Sequence, residues 1–162
     1  VQDYAHAFRD DPEWHERARR QSERLIDFTT FVDEVARLDP ADFDRSATAE
    51  TVTYHDACQS ANALGLGDGV RRIIVDLLGY ELREMRDSKV CCGFGGSFAI
   101  DYPQVSSAIL GKKLGNIEDT AAGIVVSDNP GCLMQIRGGV VARDGNVRVL
   151  HIAQLMAERL PM

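Results

Sequence analysis

The chain has 162 residues, is 44% hydrophobic and 27% charged, and carries a formal net charge of −7. That length and balance fit a single ordinary core and exclude a disordered chain or a collagen-like fibre. The negative balance argues against nucleic acid and anionic lipid as main partners, since polyanions need a basic footprint, and no window approaches the roughly 18 uninterrupted apolar residues of a transmembrane helix.

In chain order, residues 1–48 read as a helical segment. Asp11 precedes Pro12 in the manner of a cap before a first-turn proline. Leu25, Phe28, Val32 and Val35 recur at helical spacing, which predicts one apolar stripe on an amphipathic helix. Arg17, Arg19, Arg20, Glu23, Arg24 and Glu34 read as its solvated face. Leu38-Asp39-Pro40 ends the helix, and residues 41–50 read as a polar connector. A second unit is expected over residues 49–162.

The pattern then alternates. Thr51-Val52-Thr53-Tyr54-His55 is β-branched and aromatic and predicts a strand. Residues 64–79 predict a helix that buries Val70, Ile73, Ile74, Leu77 and Leu78 and stops at Gly79. Residues 80–85 alternate as a second strand. Cys91-Cys92-Gly93-Phe94-Gly95-Gly96-Ser97 is a glycine-rich loop. Pro103 opens a helix expected to bury Val105, Ile109, Leu114 and Ile117. Residues 123–127 read as a buried third strand, Asn129-Pro130-Gly131 as a turn before a helix starting near Cys132, residues 147–150 as a fourth strand, and residues 152–160 as a last helix. Strands alternating with helices predict an α/β fold: a four-stranded, mostly parallel sheet flanked by helices, with an N-terminal amphipathic helix.

In a parallel sheet the strand-to-helix loops share one edge. Cys58 follows the first strand, Cys91 and Cys92 follow the second, and Cys132 follows the third. Three successive loops therefore deliver four sulfurs to one rim. Clustered cysteines of this kind point to metal or redox chemistry rather than a disulfide scaffold. Cys132 lies at a predicted helix start, where the dipole and unpaired amides favour thiolate. Gly93, Gly95 and Gly96 permit a backbone nest of amides, or serve a tight turn alone. Four thiolates suit structural zinc or an iron–sulfur cluster. The vicinal pair is awkward for one zinc and favours a polynuclear centre, while a redox-active vicinal disulfide stays open. His55 and His151 lie on the same edge as ligands, proton partners or hydrogen-bond donors, or as satisfied structural histidines. Tyr54, Asp56 and Asp128 lie nearby without an assigned role. No nucleophile-base-orienter arrangement suggests a hydrolase.

Tyr54-His55-Asp56-Ala57-Cys58, then Cys91-Cys92-Gly93-Phe94-Gly95-Gly96, then Asn129-Pro130-Gly131-Cys132-Leu133-Met134-Gln135 resemble the cysteine-rich "CCG" domain. That module occurs in the cysteine-rich component of heterodisulfide reductase, in the iron–sulfur subunit of glycolate oxidase and in lactate-utilisation protein A. The likeness is strongest to the last two and covers most of the chain, including Asp11-Pro12-Glu13-Trp14 and residues 147–155. The resemblance implies an iron–sulfur cluster, 4Fe-4S or another type, that carries electrons in oxidation of L-lactate or glycolate. Its ligands would be Cys58, Cys91, Cys92 and Cys132, with His55 and Gly93 at the cofactor. Zinc at the same cysteines is the alternative. The resemblance further implies an electron-transfer part rather than the substrate-converting part of an oxidoreductase complex. Partners would be the other subunits of that complex and a missing N-terminal half, since relatives usually carry two such modules. The start at Val1 and the absence of an export leader suggest a piece of a longer cytoplasmic protein. The fullest motif ends Cys-x-x-Cys, but Gln135 stands at its last position here, which removes one thiolate.

Overall fold

The computed structural model describes residues 3–46 and 50–161. Before the sheet, the chain forms three short helices, α1 (Tyr4–Ala7), α2 (His15–Glu23) and α3 (Phe28–Thr30), the last running on through a wider turn over Phe31–Val35. The expected long amphipathic stripe does not form. The helix breaks after Arg24, and Asp27 restarts it as an N-cap whose carboxylate accepts from the Thr30 N–H at 2.9 Å. The break changes the helical phase, so Leu25, Phe28 and Val35 are exposed and only Val32 reaches the core. The connector is also less polar than its composition suggests, because Phe43 is buried in that same core. Residues 47–49 of the connector, and with them the expected boundary between the two units, lie outside the described residues.

Four strands follow: β1 (Thr51–Tyr54), β2 (Glu81–Leu82), β3 (Ile124–Ser127) and β4 (Arg148–His151). They pair in parallel throughout, in the order β2-β1-β3-β4, with Val52 opposite Leu82 and Ile124, and Val126 opposite Leu150. Parallel neighbours need crossovers, and helices supply them. After a turn at Ser60–Leu64, α4 (Gly67–Arg72) continues through Ile73–Leu77 and stops at Gly79, whose φ of +72° is the left-handed stop that glycine provides. Here α4 links β1 to β2; α5 (Phe98–Asp101) and α6 (Pro103–Asp119) link β2 to β3. Next, α7 (Pro130–Ala142) links β3 to β4, and α8 (Ile152–Ala157) follows. The expected second strand is cut to two residues, as befits an edge strand with one neighbour.

Two apolar layers sandwich the sheet. On one face Val52, Tyr54, Ile124 and Val126 pack against Val70, Ile73, Ile74 and Leu78 of the α4 segment and Ile152 and Leu155 of α8. On the other, Val125 and Val149 pack against Leu114 and Ile117 of α6 and Leu133, Ile136 and Val140 of α7. Each such side chain taken fully from water contributes about 1.5–3 kcal/mol. Val105, expected inside, is 52% exposed, because Ser106 rather than Val105 takes the inward position on the first turns of α6.

Candidate metal centre

The strand order fixes where a site can be. From β1 the chain leaves for β2 on one side, and from β3 it leaves for β4 on the other, so a crevice opens at the carboxyl ends of these adjacent strands. His55 directly follows β1. Cys132 lies in the first turn of α7, beyond β3, where Asn129 caps the helix by accepting the Cys132 N–H at 3.2 Å. The loop after β2 brings Cys92 in from the side. The result is a buried trio: ligand atoms of His55, Cys92 and Cys132 all lie within 4.8 Å of one another, and the two sulfurs are 3.1 Å apart.

The protonation of this trio follows from its neighbours. His55 Nδ1 lies 3.2 Å from the Ser88 carbonyl, which can only accept, so Nδ1 carries the hydrogen. Nε2 therefore keeps its lone pair, and it is buried with no hydrogen-bond partner. The adjacent Cys132 thiol, with help from the Phe94 amide, draws Cys92 well below the ordinary thiol range against the cost of burial. Cys132 is pushed up by the sharing of that hydrogen bond, by burial and by the charge of Cys92. The pair thus holds one proton and presents one thiolate. The charges of Cys58 and Cys91 also reach Cys132 and push the same way.

Cys58 and Cys91 are exposed and lie outside that trio, at the rim of the sheet edge where β1 and β2 end, while the buried Cys92 and Cys132 form its floor. All four thiols are free. Cys91 Sγ accepts the Gly93 N–H at 3.3 Å, an amide-to-sulfur contact that stabilises negative charge on sulfur. Gly93 has φ +88°, and a Cβ there would sit 2.6 Å from the Ser106 carbonyl oxygen, so a side chain is excluded on both counts. His151 stands apart: its Nδ1 accepts from Ala153 as the α8 cap, and its Nε2 donates to the Asp128 carbonyl, which leaves no lone pair for a metal. Asp56 is fully buried but engaged by Arg71 through both carboxylate oxygens at 3.0 and 3.1 Å, and burial is outweighed there by that guanidinium, which holds the carboxyl low. Tyr54 OH is buried without a partner, and burial pushes its phenol up.

Three supporting roles escaped the sequence reading. Ser106 Oγ donates to the Gly93 carbonyl at 2.8 Å and accepts from Gln135 Nε2 at 2.9 Å. Gln135 therefore ties α7 to α6 and, through Ser106, to the cysteine loop. Lys113, only 1% exposed, donates to the carbonyls of Asp87 and Ser88 at 2.7 and 3.1 Å. The signal for Lys113 was present: it interrupts the helical run Ile109, Lys113, Ile117, an apolar stripe in which a lysine needs a reason.

The donor set passes a chemical test for a metal. An imidazole lone pair without a hydrogen-bond partner faces a thiolate and a thiol, with two further sulfurs at the rim, and such a nitrogen buried bare is costly unless something accepts its electrons. The second nitrogen of that imidazole is held by a backbone carbonyl, the usual outer partner of a ligating histidine. The fold and the site thus define a parallel α/β module with a thiol-rich, imidazole-bearing pocket at its switch point. The chain belongs to the cysteine-rich domain family: the CCG family model matches residues 52–137, which contain all four cysteines and the whole switch-point crevice. Relatives include lactate utilization protein A of Bacillus licheniformis, 32% identical over 97% of this chain, that of Bacillus subtilis, 31% identical over 97%, and that of Geobacillus kaustophilus, 32% identical over 98%. The chain spans 65% of the length of each of these relatives. Among the described residues no helix is long and apolar enough to cross a membrane.

Proposed function

We propose that this chain is a metal-binding, electron-transferring module of a lactate-utilisation system, with an iron–sulfur cluster held by Cys58, Cys91, Cys92 and Cys132. The observation that carries the reading is the buried Cys92–Cys132 sulfur pair, 3.1 Å apart, at the sheet edge that also carries the exposed Cys58 and Cys91, beside the unpartnered His55 Nε2. When bound, a cluster supplies one-electron chemistry that no side chain here offers. The residues do the rest. Cys92 and Cys132 anchor from the floor, and Cys58 and Cys91 close from the rim. The Gly93 amide and the Asn129-capped start of α7 stabilise negative charge on the sulfurs, and His55 offers its Nε2 lone pair beside them. The exposed rim leaves one side open for electron exchange with a partner, in keeping with an electron-transfer part rather than a substrate-converting one. Partners would be other subunits of a lactate or glycolate oxidation complex and the further module that the longer relatives have room for. Four free thiols suit a reducing compartment such as the cytoplasm.

A second reading is favoured by one feature. The compact His55, Cys92, Cys132 trio, with a single rim cysteine as fourth donor, matches the tetrahedral set of one zinc ion. Gln135 bears on the cluster type: it stands where the fullest motif has a further cysteine, so the four cysteines of the chain are the most that serve the site. Anaerobic reconstitution with iron and sulfide, followed by metal and acid-labile sulfide analysis and electron paramagnetic resonance, decides between the two. Iron with equivalent sulfide in wild type, lost in Cys92→Ser and Cys132→Ser while helix content holds, is the expected result. Stoichiometric zinc with no sulfide would replace the cluster by the zinc site, and wild-type protein that takes up neither metal would refute both.

A further inference from the structure

Lys113 is an unusual residue to find where it is. Its side chain runs from α6 beneath the loop that follows β2, and it is 1% exposed. Among the described residues no carboxylate lies within ion-pair distance of it. Its ammonium donates instead to two backbone carbonyls, Asp87 O at 2.7 Å and Ser88 O at 3.1 Å, and lies 3.7 Å from Met85 Sδ. A buried ammonium without a counter-ion is costly and would ordinarily neutralise or be replaced by an apolar side chain. Burial does push it down, and the negative charge at Cys92 and Asp87 opposes that fall, with Asp56 and Cys132 behind them.

The geometry closes through one atom. Ser88 O accepts both the Lys113 ammonium and the His55 Nδ1–H. Holding that carbonyl in place decides which imidazole nitrogen carries the hydrogen, and therefore which one faces the sulfurs with a lone pair. We propose that Lys113 is a positioning residue of the thiol centre: it pins the Ser88 carbonyl that orients His55. The inference rests on the reading of this pocket as a metal site, and it concerns only how the chain prepares that site.

The test uses reduced, metal-free protein titrated anaerobically with cobalt(II) against a competing chelator, read by the sulfur-to-cobalt charge-transfer band. Removal of an outer-sphere partner typically weakens metal binding by about 10–100-fold. Lys113→Met is expected to show a loss of that size, and Lys113→Arg, which keeps charge and donors, to recover most of it; a role limited to filling space would give the opposite order. In wild-type protein the nitrogen-15 shifts of His55 are expected to report a hydrogen on Nδ1, a measurement that stands even if a Lys113 variant does not fold. Lys113→Met binding cobalt as tightly as wild type, or a wild-type His55 with its hydrogen on Nε2, overturns the proposal. Wild-type protein that binds no cobalt would instead remove the metal reading, and this inference with it.

Discussion

At the residue scale, the rim of the sheet collects polar atoms whose partners are missing, and each makes a separable claim. His55 Nε2 faces sulfur, whereas Asp128 faces a small cavity of about 220 Å³ bounded by Phe28, Ser60, Leu64 and His151. Neither buried Asp128 carboxylate oxygen has a well-formed hydrogen bond, and burial pushes its carboxyl up from the ordinary value, with the Ser60 hydroxyl and its own amide nearby, and then His151 and His55, opposing only weakly. An acid whose folded value is raised favours the folded state while protonated. Its contribution is therefore present in acid and is lost as pH rises through the folded value, so at neutral pH Asp128 destabilises the fold. Asp128→Asn, which removes the buried charge and keeps the shape, is expected to stabilise metal-free protein by about 1 kcal/mol at neutral pH, with the advantage fading in acid. Denaturant unfolding of both proteins at neutral and acid pH checks this, and a variant equally or less stable at neutral pH contradicts it. That the residue lay on this edge was readable from the sequence; that its carboxylate lacked a partner was not, because pairing depends on groups from Ser60 and β4 that only the folded chain brings near.

At the level of elements, the glycine-rich loop is the piece on which the site depends. Its shape is set from outside by α6 and α7, through Gln135, Ser106 and the Gly93 carbonyl in series. Gly93→Ala should cost about 1–2 kcal/mol for the positive φ, and a further penalty of about 1–3 kcal/mol for forcing a methyl against the Ser106 carbonyl. The expected result is a lower midpoint of thermal unfolding and weaker cobalt binding, whereas Gly115→Ala, on the same α6 with nothing within 4 Å, should lose neither. Equal behaviour of the two variants would show that the loop conformation is not what the site requires. Glycine clustering marked this loop in the sequence. Its anchors were less legible, since Ser106 and Gln135 bond across two helices far apart along the chain. The N-terminal stripe failed for a related reason. Periodicity over Leu25, Phe28, Val32 and Val35 assumes one unbroken helix, and the stop after Arg24 with the Asp27 cap resets its phase.

At the scale of the molecule, the alternation of strands and helices already implied parallel pairing, and with it the sharing of one edge by Cys58, Cys91, Cys92 and Cys132. The strand order was the missing fact. Only the exchange at β1 and β3 places His55 against Cys132, and period-two patterning says nothing about which strands are neighbours. That arrangement has a thermodynamic consequence for the whole chain. The ligand atoms come from three segments that meet only in the folded state, so a bound metal stabilises folding by mass action, about 2.7 kcal/mol at a free concentration one hundred times its dissociation constant. The floor pair holds one proton, with Cys132 pushed above the ordinary thiol range, and metal must displace that proton. Binding should therefore strengthen as pH rises, and the increment in melting temperature on adding zinc(II) to reduced protein should grow from mildly acid to mildly alkaline solution. Replacing Cys132 by Ser removes both the raised thiol and the anchor, so the variant should melt at nearly the same temperature with or without zinc across that range. A zinc-dependent increment that stays flat with pH in wild type, or that survives intact in Cys132→Ser, would mean the metal is held elsewhere than at the switch-point crevice.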